Sequence, residues 1–258
     1  MSSARSGRGE RMPRARVVLV HGIRTSASMW RGQAVRLARH DLDVVAVDLP
    51  GHGARIDEPF SLAAAMRVIG DALGPPAPGT PRLLVGLSLG GYLGIEFAAR
   101  HPDALDGLVA ASCGTRPRGP ALRGYQALAR LIGRLPDRGR WMNDAVARMF
   151  LSPSAVEDVV AGGVALDAMQ PTLAAVGELD VLASIAAVRV PIWFVNGRLD
   201  HFRVEERRML RAARDARLVH VERATHLVSL VRPDEFAGAV LGAVAELERR
   251  AAARRPTR

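Results

Sequence analysis

Ser88 stands between two glycines in Gly86-Leu-Ser-Leu-Gly90, with an apolar run, Leu83 to Val85, directly before it and a helical stretch after it. This is the pattern of a strand turning sharply into a helix, a turn that forces the serine into strained backbone geometry. A side chain on Gly86 or Gly90 would collide with the neighbouring turn, so both positions call for glycine. The hydroxyl is left exposed at a helix N-terminus. There the Leu89 N–H is free to donate to an oxyanion, and the helix dipole favours negative charge. Gly-x-Ser-x-Gly also arises by chance in about one chain in ten of this length, so a base and an acid must be found elsewhere.

A serine hydroxyl is a poor nucleophile near neutral pH and needs an imidazole to take its proton and return it to the leaving group. The imidazole in turn needs a carboxylate to fix its tautomer. Of seven histidines, His226 lies just past the last expected strand, on the sheet edge where Ser88 also emerges. His201 shares that edge and is its rival. His40 and His101 fall at helix ends, His220 inside a strand and His52 in a tight turn, which are structural settings; His21 adjoins a loop that it can brace. Asp200 follows another strand at the same edge, although it also reads as a loop or N-cap residue. Asp48 looks like a turn-stabilising residue, and Asp180 belongs to a helical segment.

The elements that must carry these groups follow from hydrophobic patterning. Short β-branched runs at Arg16–Val20, Asp43–Asp48, Leu83–Leu87, Leu105–Ala111, Val190–Val195 and Leu218–Glu222 alternate with amphipathic stretches. Continuous apolar strands between helices indicate a parallel sheet covered on both faces. The expected fold is α/β, an open, mostly parallel sheet of about six strands. Ser61 is placed to cap the helix that follows it, and Pro233 to start the last one. Between Thr115 and Val188 the strand signal disappears, and four helical stretches punctuated by Pro136, Pro153 and Pro171 take its place. The core is thus expected over 16–114 and 189–250, with a helical lid inserted at 115–188.

Composition removes other chemistries. The net charge is +10, but most of it lies in Arg-rich ends, over 1–15 and 251–258, that read as solvated tails rather than as a nucleic-acid surface. The sequence contains no lysine. Without it there is no Walker A loop, no pyridoxal Schiff base and no Ser-Lys dyad. Cys113 is the only cysteine, which excludes an internal disulfide or a Cys-x-x-Cys site. No His, Asp or Glu set has the spacing of metal ligands, and no apolar run is long enough to span a membrane. The opening residues lack the apolar core of a signal peptide, so a cytoplasmic location is expected.

Val20-His-Gly22, Asp48-Leu-Pro-Gly-His-Gly53, Gly86-Leu-Ser-Leu-Gly-Gly91, Asn196-Gly-Arg-Leu-Asp200 and His226 occur in this order, and together they resemble the α/β-hydrolase superfamily. The resemblance spans about Arg16 to Glu248. One departure is that members of that superfamily often begin with two extra strands, whereas here about fifteen residues precede the first one, so a shortened sheet of about six strands is expected.

The resemblance implies a catalytic triad of Ser88, Asp200 and His226, in the hydrolase chain order. It also implies that the Ile23 N–H, following His21-Gly22, is the second oxyanion donor beside Leu89. The implied activity is cofactor-independent hydrolysis of a small to medium apolar ester, lactone or thioester through an acyl-enzyme, acting on a small-molecule acyl substrate. Carbon-carbon bond hydrolysis, peroxidase-like chemistry, peptidase activity and a non-catalytic receptor share this framework. An aspartate elbow, as in related dehalogenases and epoxide hydrolases, is ruled out by Ser88. Trp30, Trp141, Met142, Met149 and Phe150 are expected to wall the pocket, with core packing the alternative for Trp30.

Overall fold

The computed structural model describes residues 12–137 and 139–253. The chain runs β1 (Ala15–Val20), α1 (Arg31–Ala38), β2 (Leu42–Val47), α2 (Leu62–Leu73), β3 (Arg82–Leu87), α3 (Leu89–Arg100) and β4 (Gly107–Ala111). Five helices follow: α4 (Gly119–Ile132), α5 (Arg140–Phe150), α6 (Pro153–Val160), α7 (Met169–Gly177) and α8 (Val181–Ala187). The alternation then resumes with β5 (Ile192–Gly197), α9 (Glu206–Ala212), β6 (Ala216–Val221), α10 (Val228–Val231) and α11 (Pro233–Ala253).

All strand pairs are parallel, in the order β2-β1-β3-β4-β5-β6, which is the open α/β sheet expected from the strand patterning. Both faces of the inner strands β1, β3, β4 and β5 are covered, so alternate residues of one apolar run serve different layers. Val18, Val20, Leu84, Leu108 and Phe194 pack with α2, α3 and α8. Val17, Leu19, Val85, Val109 and Val195 face α1 and α11. The Ser61 hydroxyl accepts the Ala64 N–H at 3.2 Å and caps α2, a contact that contributes about 1 kcal/mol.

The chain steps outward from β1 to β2, then crosses back to place β3 on the other side of β1. This reversal opens a crevice at the carboxyl ends of β1 and β3, the usual ligand site of an open α/β sheet. The segment between β4 and β5 holds five helices rather than the four expected stretches. The last of them, α8, buries Val181 and Ile185 in the layer beside α3. There the Ser184 hydroxyl donates to Glu96 Oε2 at 2.5 Å. Of the basic ends, residues 1–11 and 254–258 lie outside the described residues. Arg14 is tied to Glu248 at 2.7 Å, and α11 continues to Ala253.

Candidate active site

Ser88 connects β3 to α3 with φ 53° and ψ −109°, a left-handed conformation that costs a residue with a side chain on the order of 1–3 kcal/mol. Neighbours hold it there. Its N–H donates to the Ala111 carbonyl at 2.8 Å, and its carbonyl accepts the Tyr92 N–H at 3.1 Å. A Cβ on Gly86 would run into the Gly90 carbonyl, and one on Gly90 into the Val20 carbonyl. The glycine at 90 lets the loop after β1 touch the elbow, where the Gly90 N–H donates to the His21 carbonyl at 3.1 Å. Leu89, first residue of α3, has no carbonyl one turn earlier to receive its N–H, and it lines the cleft beside Ser88.

His226 enters from the loop after β6. Its Nε2 is 3.0 Å from Ser88 Oγ, and its Nδ1 is 3.1 Å from both carboxylate oxygens of Asp200. The Asp200 carboxylate is fully enclosed and also accepts the Phe202 N–H at 2.8 Å. Burial pushes this carboxyl up, but the hydrogen bond and charge of His226, with the Phe202 N–H and nearby His201, outweigh it and hold Asp200 below the ordinary carboxylate value. The two loops are stitched together, Arg198 N–H to the Val221 carbonyl and Leu199 N–H to the Ala224 carbonyl, each at 2.9 Å. His201 is 74% exposed with its Nδ1 3.9 Å from Asp200. It is His226 whose ring bridges serine and carboxylate.

The loop after β1 is braced by a neutral histidine. His21 Nε2 accepts the Leu49 N–H at 3.1 Å, which assigns the ring proton to Nδ1, and Nδ1 donates to the Gly22 carbonyl at 2.8 Å. Burial in the core drives the His21 imidazole down to about 3. The Thr25 hydroxyl also donates to the Gly22 carbonyl at 2.8 Å. With that oxygen engaged on one side, the N–H of Ile23 across the same peptide plane faces the opposite way. Ile23 lines the cleft with Ser88 and Leu89.

The cleft has a volume of about 570 Å³ and a mostly apolar wall, including Leu122, Tyr125, Leu173 and Val176 from the helices between β4 and β5. Of the expected wall residues, Phe150 is in it. Three need correction. Trp30 is fully buried beside Phe236, with ring centroids 5.9 Å apart, and packs the core under α11. Trp141 and Met149 are 76% and 74% exposed and lie outside the cleft, since they take the outer side of α5. The Met142 side chain falls outside the described residues.

Other assignments settle plainly. Asp48 accepts the N–H groups of Ala27 at 2.7 Å and Ala54 at 2.9 Å, a turn-stabilising role. Asp180 caps α8. Phe202, whose ring lies 4.8 Å from that of His226, carries no sequence motif, whereas Asn196 stands first in the Asn196-Gly-Arg-Leu-Asp200 motif. Asn196 ties two strand ends together, its amide oxygen accepting the Ser112 N–H at 3.1 Å and its amide donating to Glu206 at 3.0 Å. Its place in that motif, at the end of an apolar strand, was the available signal. Among the described residues no cluster of His, Cys, Asp or Glu is placed to hold a metal ion, and no helix is long and apolar enough to cross a membrane.

A nucleophile elbow, a braced loop and a bridging histidine on a six-stranded parallel sheet define one class of protein. The alpha/beta hydrolase family is matched over residues 17–239, and the chain belongs to it. It is 30% identical over 243 residues to pimeloyl-(acyl-carrier protein) methyl ester esterase of Neisseria meningitidis serogroup B, covering 86% of this chain and 90% of that protein. Its fold is shared with the enol-lactonase of Burkholderia xenovorans, with a TM-score of 0.71, 22% identity and coverage of 93% of this chain and 94% of that one. A thermophilic esterase from Thermogutta terrifontis has a TM-score of 0.73 at 21% identity, covering 91% and 90% of the two chains. The chain is a hydrolase of the α/β fold.

Proposed function

We propose that the protein cleaves a small to medium apolar carboxylic ester, lactone or thioester through an acyl-enzyme on Ser88. The observation that carries this reading is the unbroken run of hydrogen bonds from Ser88 through His226 to the enclosed Asp200, at 3.0 and 3.1 Å, on the floor of an apolar cleft. His226 Nε2 removes the Ser88 proton as Oγ attacks the carbonyl carbon. Asp200 holds the Nδ1 proton and stabilises the imidazolium that forms. The N–H groups of Leu89 and Ile23 receive the oxyanion, and each such donor is worth about a hundredfold or more in rate. His226 then protonates the departing alcohol or thiol, and a water activated by the same imidazole releases the acid. Residues 115–188 act as a lid over the cleft, to which they contribute Tyr125 and Phe150.

The relative named for a methyl ester supports an ester rather than an amide substrate. The test is labelling by a fluorophosphonate: one site in the wild type, none in Ser88→Ala, with turnover of p-nitrophenyl esters lost in parallel. Labelling at another serine would exclude Ser88 as nucleophile.

A further inference from the structure

Arg24 is a cation on the cleft wall, and among the described residues no carboxylate is paired with it. Its backbone is left-handed, φ 67°, a conformation that a side chain makes costly. Its Nε and Nη2 are buried and make no hydrogen bond among the described residues. Buried donors, and charged ones above all, are expensive to leave unmade. Burial also pulls this guanidinium down from its ordinary value. The other arginine of the cleft, Arg116, is already engaged by Glu205, with Nε donating to Oε1 at 2.7 Å and its backbone N–H to Oε2 at 2.9 Å.

Arg24 also borders a second cavity of about 300 Å³, lined by Arg130 and Arg134 and, among the described residues, by no acidic one. It therefore stands where an apolar, catalytic space meets a basic one. Tyr125 stands on the same cleft wall, and its phenol is raised by burial and drawn partly back by the charge of Arg24. Nε and Nη2 form one edge of the guanidinium, whose parallel N–H bonds match the two oxygens of a carboxylate; they are enclosed as the side chain lies, so a ligand takes them as the head of Arg24 turns into the cleft that it lines.

We propose that Arg24 binds a carboxylate carried by the substrate, so that the preferred substrate is an ester with an ionised carboxyl group separated from the scissile carbonyl by an apolar span. This rests on the reading of Ser88 as the nucleophile of a hydrolase and adds the substrate's charge to it. The strained backbone and the unmet donors are then costs retained for binding.

The experiment compares methyl half-esters of dicarboxylic acids, glutarate to suberate, with methyl esters of monocarboxylic acids of equal length, by pH-stat. The readout is the ratio of kcat/KM, anionic over neutral, which cancels any disturbance of the neighbouring Ile23 loop. We expect a ratio of about ten or more in the wild type, the scale of a charge-assisted bidentate pair. It should collapse in Arg24→Gln and survive in part in Arg24→Lys. Acetates of hydroxy acids form a parallel arm with the carboxylate in the leaving group, and a collapse in either arm supports Arg24 and identifies the half of the substrate it holds. Protection of Ser88 from fluorophosphonate by the same half-esters gives the comparison where turnover is slow. A ratio or protection indifferent to Arg24→Gln overturns the carboxylate site. If Ser88 is not labelled in the wild type, it is the hydrolase reading that fails.

Discussion

The Gly90 N–H donates to the His21 carbonyl at 3.1 Å, so the turn that presents the nucleophile and the loop that follows β1 are one mechanical unit. A displacement of either would move the two proposed oxyanion donors, Leu89 and Ile23, relative to each other. Substituting Gly90→Ala drives a Cβ into the Val20 carbonyl and should destabilise the protein by about 1–3 kcal/mol or more. Gly238→Ala, in α11 with nothing within 4 Å of the new Cβ, should instead be neutral or stabilising by up to about 1 kcal/mol. Urea denaturation of both variants checks the contrast.

Replacing Asp200 by asparagine keeps an acceptor for the Phe202 N–H but removes the charge beside His226. Turnover should fall on the order of 10⁴-fold with little change in KM. Asp48→Asn and Asp180→Asn, which alter a turn and a helix cap, should leave kcat within a few-fold. Steady-state kinetics on one p-nitrophenyl ester separates the three. A near-normal Asp200→Asn enzyme would remove Asp200 from the triad.

His21 makes stability pH-dependent. Its imidazole is driven from 6.5 to about 3 in the folded state by burial first, with the nearby His52 acting in the same direction. The unfolded chain therefore binds a proton that the folded chain refuses. Stability is complete above pH 6.5 and declines as the pH falls towards 3. Between pH 6.5 and 4.5 the loss from this ring alone is on the order of 3 kcal/mol. Burial lowers His52 as well, in the same sense. Urea unfolding at pH 7.5 and 4.5 should show a clearly smaller pH effect in His21→Asn than in the wild type. Equal effects in the two proteins would show that His21 is not the titrating group.

Phe150 lines the cleft, while Trp141 and Met149 on the same helix do not. An acyl chain lying along that wall gains about 0.8 kcal/mol, or about fourfold in kcat/KM, for each methylene buried. With acetyl, butyryl, hexanoyl and octanoyl p-nitrophenyl esters, kcat/KM should rise to a cut-off. Phe150→Ala should shift that cut-off, and Trp141→Ala and Met149→Ala should not. A flat series would leave the helices of 115–188 as scaffold.

The sheet was legible because its strands are buried on both faces: Val17 to Val20 and Leu83 to Val85 carry no polar residue, and glycine spacing marks the elbow between them and α3. The pairing of Ser88 with His226 was legible for a related reason, since parallel strands deliver their following loops to one edge. The helical stretch was harder to read. Trp30, Trp141 and Met149 are equally apolar on paper, yet one fills the core, two face solvent, and the 3.6-residue period cannot say which face of a helix meets the cleft. Four stretches were expected where five helices stand, because α7 and α8 follow one another with no proline between them and seven residues give a short periodic signal. Arg24 could not be singled out among 36 arginines, since what distinguishes it is the absence of an acceptor in three dimensions.

β4 and β5 are hydrogen-bonded neighbours, with Ala111 opposite Val195, although about eighty residues of chain separate them. The excursion thus begins and ends at almost the same point in space. Its length is independent of the pairing of the two strands, so a change in the side chains that it turns to the cleft would alter the wall while the β4–β5 register stayed as it is. That freedom stops where the excursion packs inward: α6 buries Ala155 in a layer that covers the sheet, and α7 packs against α2 and α3.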